Sequence, residues 1–207
     1  MTDSPRPSKV FCLGMNRTGS TSLYEYLLEL GYNATHDPNW WYWRVKSGLD
    51  QFDAYTDGYE GYKPWRTYPN LWLLQFWFPD AKFVINTRPL DAWLTSRLKH
   101  NSANYRKWKR KTDPHSLLKG WVRNRNHWHR KLIRFSEEYP EKTLWVNIHD
   151  PEASAMLKEF IAIKTDVALP HSNQINNNPE AAGQVNEFLD RYIREEDHQS
   201  IRTAHWK

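Results

Sequence analysis

The chain has 207 residues, 39% of them hydrophobic and 26% charged, with 12 Trp, one Cys and a formal net charge of +5. That length suits one buried core, and the lone Cys12 excludes an intrachain disulfide framework or a multi-cysteine zinc or iron–sulfur centre. No run approaches the ~20 apolar residues of a membrane span and the N-terminus lacks a secretory-type apolar stretch, so the expectation is a soluble cytoplasmic protein with no membrane span, or a catalytic domain trimmed of its anchor.

Residues 1–8 are polar with two prolines and read as a disordered leader, leaving 9–207 as a single domain. KVFCLG (9–14) reads as a short, fully buried strand. A helix follows over 18–30, with Leu23, Tyr26, Leu27 and Leu30 on one face and Gly31 where a C-cap glycine belongs. Residues 32–36 suggest a second strand, 38–45 an aromatic-rich helix, and 52–57 a weak third strand. A helix over 64–78 ends at Pro79.

AKFVINT (81–87) is the clearest buried strand, and Pro89 opens the next helix. That helix leads into a basic belt: 13 Lys/Arg and one acid, Asp113, lie between Arg97 and Arg134, against 16 basic and 23 acidic residues elsewhere. Helical segments continue over 114–138. A strand at 143–148, a helix at 152–163, a polar loop at 169–179 and a last helix at 180–196 complete the chain. This alternation predicts an α/β fold: a single three-layer domain with a mainly parallel central sheet and helices on both faces. In such sheets ligands bind beyond the carboxyl ends of the strands.

Two strand-end segments carry the chemistry. Gly14-Met15-Asn16-Arg17-Thr18-Gly19-Ser20-Thr21-Ser22 joins the first strand to its helix. It offers backbone N–H groups, a helix N-terminus, hydroxyls and a cation, which together suit an anion. Its spacing approaches the nucleotide P-loop, but Ser20 stands where that loop has its Lys. The second segment places Arg88 after the strongest strand and Ser96 on the following helix, where the two can grip a phosphate.

The pair resembles sulfotransferases that use 3′-phosphoadenosine-5′-phosphosulfate (PAPS). Gly14–Ser22 is similar to their 5′-phosphosulfate loop, and Arg88–Ser96 to their 3′-phosphate motif, in which a Ser follows the Arg by eight positions. The strand around Leu144–Ile148, Asp150 and the following helix resemble the later part of compact members. The resemblance implies a P-loop-like sulfotransferase fold and an enzyme that passes a sulfuryl group from PAPS to a hydroxyl or amine, releasing PAP, without a metal. It implies Arg17 at the bridging oxygen, Thr18, Gly19, Ser20, Thr21 and Ser22 on the 5′-phosphate, and Arg88 and Ser96 on the 3′-phosphate. The chain departs from cytosolic members at Ser22, where those have an aromatic residue, and lacks their late Arg-Lys-Gly motif. Adenine contacts therefore stay unassigned.

Sulfuryl transfer needs positioning, charge stabilisation at the leaving oxygen, and a base for the acceptor. Two candidates for the base stand at strand ends: His36, beside Asp37, and Asp57, near Glu60. His127 and His129 read as partly exposed helix residues rather than metal ligands. Arg97, Lys99, Arg106, Lys107, Lys109, Arg110 and Lys111 can steer an anionic donor or acceptor or form a solvated face. The expected partner is a small-molecule or carbohydrate acceptor, with no specific nucleic acid. Two alternatives stay open: a nucleotide kinase with a degenerate P-loop, and a non-catalytic module that binds nucleic acid or another acidic polymer.

Overall fold

The computed structural model describes residues 8–36, 46–57, 70–100, 113–162, 167–170 and 179–207. The expected leader (apart from residue 8), the helix over 38–45 and most of the polar loop over 169–179 lie outside the described residues.

Strands β1 (Val10–Cys12), β2 (Ala34–His36), β3 (Ala54–Thr56), β4 (Lys82–Thr87) and β5 (Thr143–Asn147) form one sheet in the order β2-β3-β1-β4-β5. Every pairing is parallel. Among the described residues the helices are α1 (Ser20–Glu29), α2 (Lys46–Leu49), α3 (Leu71–Trp77), α4 (Leu90–His100), α5 (Pro114–Glu138), α6 (Ala153–Phe160) and α7 (Pro179–Tyr192). The order and the α/β architecture agree with the sequence reading. The chain divides into two compact units, Met1–Thr87 with Leu132–Asn173, and Arg88–Lys131 with Gln174–Lys207.

The first unit contains the whole sheet. Strand alternation sorts its side chains onto two faces. On one face Val10, Cys12, Ala54 and Val84 pack with Leu23, Tyr26 and Leu27 of α1 and with Ala153 and Leu157 of α6. Each fully buried Leu there contributes roughly 1.5–3 kcal/mol. On the other face Phe11 stacks between Tyr55 and Phe83, its register partners, with ring centroids 5.5 Å from each. Phe83 meets Phe135, near the end of α5, edge-on at 4.9 Å. Helices thus cover both faces of the sheet. Cys12 lies inside the first layer, and burial pushes its thiol up to about 12, so it carries no thiolate chemistry at neutral pH.

Helix α1 ends as the sequence predicts. Gly31, at φ +78°, donates its N–H to Leu28 O at 2.9 Å, and Tyr32 donates to Leu27 O at 2.9 Å, which is the Schellman pattern. Asn70 caps α3 by accepting the Leu73 N–H at 3.2 Å. Pro89 stands one residue before α4 rather than inside it, its carbonyl accepting the Trp93 N–H.

The second unit contains α4, most of α5, α7 and the chain end. The helical segments expected over 114–138 are one continuous helix of 25 residues. Asp113 caps it by accepting the Ser116 N–H at 2.9 Å, a bond that holds the Asp113 carboxyl below its ordinary pKa. Helix α7 stops at Tyr192, short of the expected Glu196, where a 3-10 turn over Glu195–Asp197 takes over. Three side chains of α5 hold the end of the chain. Arg125 donates to Ser200 O at 2.6 Å, Asn126 donates to Ala204 O at 2.7 Å, and His129 Nδ1–H donates to Arg202 O.

Candidate active site

The turn after β1 opens where the sheet topology changes direction. From β1 the chain proceeds to β2 on one side of the sheet, whereas β5, which follows the adjacent strand β4, lies on the other. The crevice between such strands is the usual ligand position in open α/β sheets. Gly14 leaves β1 at this point and donates its N–H to Asn86 Oδ1 of β4 at 2.9 Å. A Cβ on Gly14 would lie 2.2 Å from the Asn86 amide nitrogen and 2.3 Å from the Asn86 carbonyl oxygen, so close approach of backbone to strand requires glycine.

Three residues later the turn becomes conformationally demanding. Arg17 has φ +71° and Gly19 has φ +94°. A left-handed non-glycine residue costs about 1–2 kcal/mol. At Gly19 a Cβ would also fall 2.0 Å from Ile148 Cδ1. Buried hydrogen bonds offset the cost at Arg17, each contributing about 0.5–1.5 kcal/mol. Asn86 Nδ2 donates to Thr18 Oγ1 at 2.8 Å and to Thr18 O at 3.4 Å, while Thr18 donates its hydroxyl to Met15 O.

Gly19 is the N-cap of α1 and supplies no capping side chain; no acid lies in the first turn. The first N–H groups of the helix, its dipole and the adjacent Arg17 therefore form a donor set with no carboxylate in the turn, which fits an anion such as a phosphate. Arg17 is half-buried. Burial pulls its pKa below the ordinary value and the Asp57 carboxylate pushes it back toward the charged form.

The two base candidates are neighbours. Strands β2 and β3 pair in parallel with His36 opposite Thr56, so the residues ending both strands meet. The Thr56 hydroxyl donates to Thr35 O at 3.2 Å and lies 2.9 Å from His36 Nδ1. With its hydrogen on Thr35, that hydroxyl accepts from Nδ1–H, and the neutral ring carries its lone pair on Nε2. Nε2 lies 3.9 Å from Asp57 Oδ2. Asp57 itself has φ +61°, so Asp57 at the end of β3 and Arg17 in the turn after β1 are both left-handed residues. Asp37 and Glu60, considered from sequence as partners of these bases, lie outside the described residues.

In the second unit Arg88 follows β4 directly and Ser96 is buried on α4. Asp91 accepts from the Ala92 N–H at 2.6 Å and from Gln199 Nε2 at 3.0 Å. The belt is not a uniform surface. Arg97 and Arg125 are interior, 1% and 2% exposed, with Arg97 set over the rings of Trp93 and Trp121 at 5.3 and 4.6 Å. Arg97 is therefore a core residue, neither the steering charge nor the solvated face that the sequence suggests. Arg106, Lys107, Lys109, Arg110 and Lys111 lie outside the described residues. His129 is likewise buried, not partly exposed as expected, whereas His127 is exposed.

Asn86 is the site residue that sequence reasoning passed over. The sequence carries a signal for it, a lone amide in a strand whose neighbours Phe83, Val84 and Ile85 are apolar. Among the described residues no group of three His, Cys, Asp or Glu side chains is placed to hold a metal. Among them, too, no helix is long and apolar enough to cross a membrane.

No curated protein matches the chain. The family model for the sulfotransferase domain matches residues 9–162. That span begins just before β1, takes in the Gly14–Ser22 turn, the His36 and Asp57 strand ends, Arg88 and Ser96, and closes after α6; on this match and the parallel sheet beneath it, the chain belongs to the sulfotransferase-domain family.

Proposed function

We propose that the protein transfers a sulfuryl group from PAPS to a hydroxyl or amine of a small-molecule or carbohydrate acceptor. The observation that carries this reading is the turn ending at Gly19: a left-handed N-cap with no capping side chain, no acid in the first turn, and Arg17 beside it. Family membership gives the reaction class; the donor set of that turn favours a phosphorylated donor.

On this reading PAPS supplies the sulfuryl group, which passes in line to the acceptor oxygen and leaves PAP. The N–H groups of Gly19, Ser20, Thr21 and Ser22 hold the 5′-phosphate, and Arg88 with Ser96 takes the 3′-phosphate. Arg17 neutralises the charge that grows on the leaving oxygen, which is where catalysis of this kind is concentrated. His36 takes the acceptor proton on Nε2, its Nδ1–H held by Thr56, and Asp57 steadies the imidazolium that results. The proposed compartment is the cytoplasm, a reducing environment that suits a chain with a single free cysteine.

The test is retention on immobilised 3′,5′-ADP followed by PAP release from PAPS. The wild-type chain is expected to bind, and Arg17→Ala and Arg88→Ala to lose retention. Equal retention by both variants would overturn the assignment of these residues. Magnesium-dependent ATP turnover would instead point to a kinase.

A further inference from the structure

We infer that Asn86 is the positioning residue of the anion-binding turn, and that the Thr18 side chain belongs to this brace rather than to the ligand. The inference rests on the proposed donor reading for its ligand, but not for its geometry.

The hydrogen-bond inventory is closed on both side chains. The Asn86 amide uses its oxygen on the Gly14 N–H at 2.9 Å and its nitrogen on Thr18 Oγ1 at 2.8 Å and Thr18 O at 3.4 Å. Acceptor on one side and donors on the other fix which way the amide faces. The Thr18 hydroxyl has one hydrogen, and Met15 O receives it; its lone pair receives Asn86. The Thr18 N–H also turns toward Met15 O, at 3.3 Å. Thr18 is 4% exposed and Asn86 is fully buried. A hydroxyl directed inward in this way has no hydrogen left to donate to a phosphate.

The brace ties the first and last residues of a five-residue arc to the neighbouring strand. What it leaves outside the tie is the outward bend holding Asn16 and Arg17, with Arg17 at φ +71°. Without Asn86 the two bonds from Thr18 to Met15 O still close the inside of the arc, but nothing in this set holds Gly14 and Thr18 to β4, and the arc can relax toward an unstrained Arg17. Asn86 thereby acts on the ligand through Arg17 and the Gly19 N-cap, not by touching it. Its partner Gly14 is a glycine for the same reason, since a Cβ there would occupy the space of the amide.

The test combines two readouts on Asn86→Ala, Thr18→Val, Thr18→Ser and the Asn86→Ala/Thr18→Val double variant, each checked for native circular dichroism. The first is amide hydrogen exchange over residues 14–20 without ligand. Asn86→Ala and Thr18→Val are expected to raise exchange locally by about tenfold or more, and Thr18→Ser to leave it near wild type. The second is calorimetric titration with PAP. Asn86→Ala and Thr18→Val are each expected to weaken binding by about tenfold, with the double variant no worse than either single one, because both remove the same brace. A Thr18 that contacts phosphate predicts the opposite: unchanged exchange in ligand-free Thr18→Val, and a second full loss of affinity in the double variant. Either result overturns the inference. If Asn86→Ala fails to fold, the exchange contrast between Thr18→Val and Thr18→Ser decides it alone. If the wild-type chain does not bind PAP, the donor reading fails, and the ligand-free exchange still decides the brace.

Discussion

Asp57 places Oδ2 3.9 Å from Nε2 of His36 across two adjacent parallel strands, and the same carboxylate favours the charged form of Arg17. The two base candidates and the cation proposed for the leaving oxygen therefore share one carboxylate. His36→Gln is expected to lower kcat by about 10²–10⁴-fold and to abolish the acid limb of the pH–rate profile. Asp57→Asn should keep that limb while lowering kcat by a smaller factor, since it removes orientation and charge but not the base. An acid limb that survives in His36→Gln and vanishes in Asp57→Asn would exchange the two roles.

Thr56 tests the tautomer. Its hydroxyl holds Nδ1–H only because its own hydrogen is engaged by Thr35 O. Thr56→Val retains the shape of the side chain and removes the acceptor, leaving the ring free to carry its proton on Nε2, where it can take none from an acceptor. About tenfold lower kcat is expected, with the PAPS KM within about twofold of wild type. A change confined to KM would show that Thr56 acts on donor binding instead.

Gly19 is constrained twice, by φ +94° and by Ile148 Cδ1 lying 2.0 Å from where a Cβ would be. Relieving only the second constraint should not suffice. Gly19→Ala is expected to cost about 1–2 kcal/mol of stability from backbone strain and to lose retention on immobilised 3′,5′-ADP. In an Ile148→Ala background, which removes both the Cδ1 and the Cγ1 that would lie 2.0 and 2.5 Å from the new Cβ, Gly19→Ala should cost less stability and still lose the retention. Thermal midpoints and retention measured side by side separate the two; full recovery of both would mean that crowding alone dictates the glycine.

The sequence discloses what is local. KVFCLG and AKFVINT read as strands because parallel strands buried on both faces are continuous apolar runs. Helix α1 and its Gly31 cap follow from side-chain period and one glycine. The meeting of His36 with Asp57 is not local: it depends on β3 inserting between β2 and β1, a strand order no periodicity encodes. Arg97 and Arg125 lie in the basic belt, where the sequence suggests solvated charge because an isolated cation is normally solvated. Their burial has a legible cause in hindsight, since Trp93 and Trp121 each stand four residues before one of them and so share its helix face. The Gly14–Ser22 turn is legible in its glycines and hydroxyls, yet its brace comes from a strand some seventy residues away, where Asn86 reads merely as a polar interruption.

Ala162 offers a stability gain remote from the proposed chemistry. It follows α6 with φ +53° and donates its N–H to Glu159 O at 3.2 Å, which is a helix-ending conformation that glycine adopts without a Cβ clash. Ala162→Gly is expected to stabilise the fold by about 0.5–1 kcal/mol, reduced somewhat by the greater freedom of glycine in the unfolded chain. Urea denaturation measures it. A destabilised variant would mean that the Ala162 methyl group contributes packing that outweighs its backbone strain.

His129 links stability to pH. It sits on α5 between Arg125 and the end of the chain, donates Nδ1–H to Arg202 O, and is pushed down to about 3 by burial first and by the Arg125 guanidinium second. The folded state therefore keeps the ring neutral while the unfolded chain takes up a proton near the ordinary value of about 6.5. Between those two values the unfolded state binds more protons, so stability rises with pH and is lost as pH falls from about 6.5 toward 3. One such group gives a slope of about 1.4 kcal/mol per pH unit well inside the window. His129→Asn can place an amide donor near the Nδ1 position without a titrating ring. Urea midpoints at about pH 7.5, 6.5, 5.5 and 4.5 are expected to converge between variant and wild type as pH falls, the variant being the less sensitive. Parallel curves for the two proteins would show that His129 is protonated in the folded state as readily as in the unfolded one.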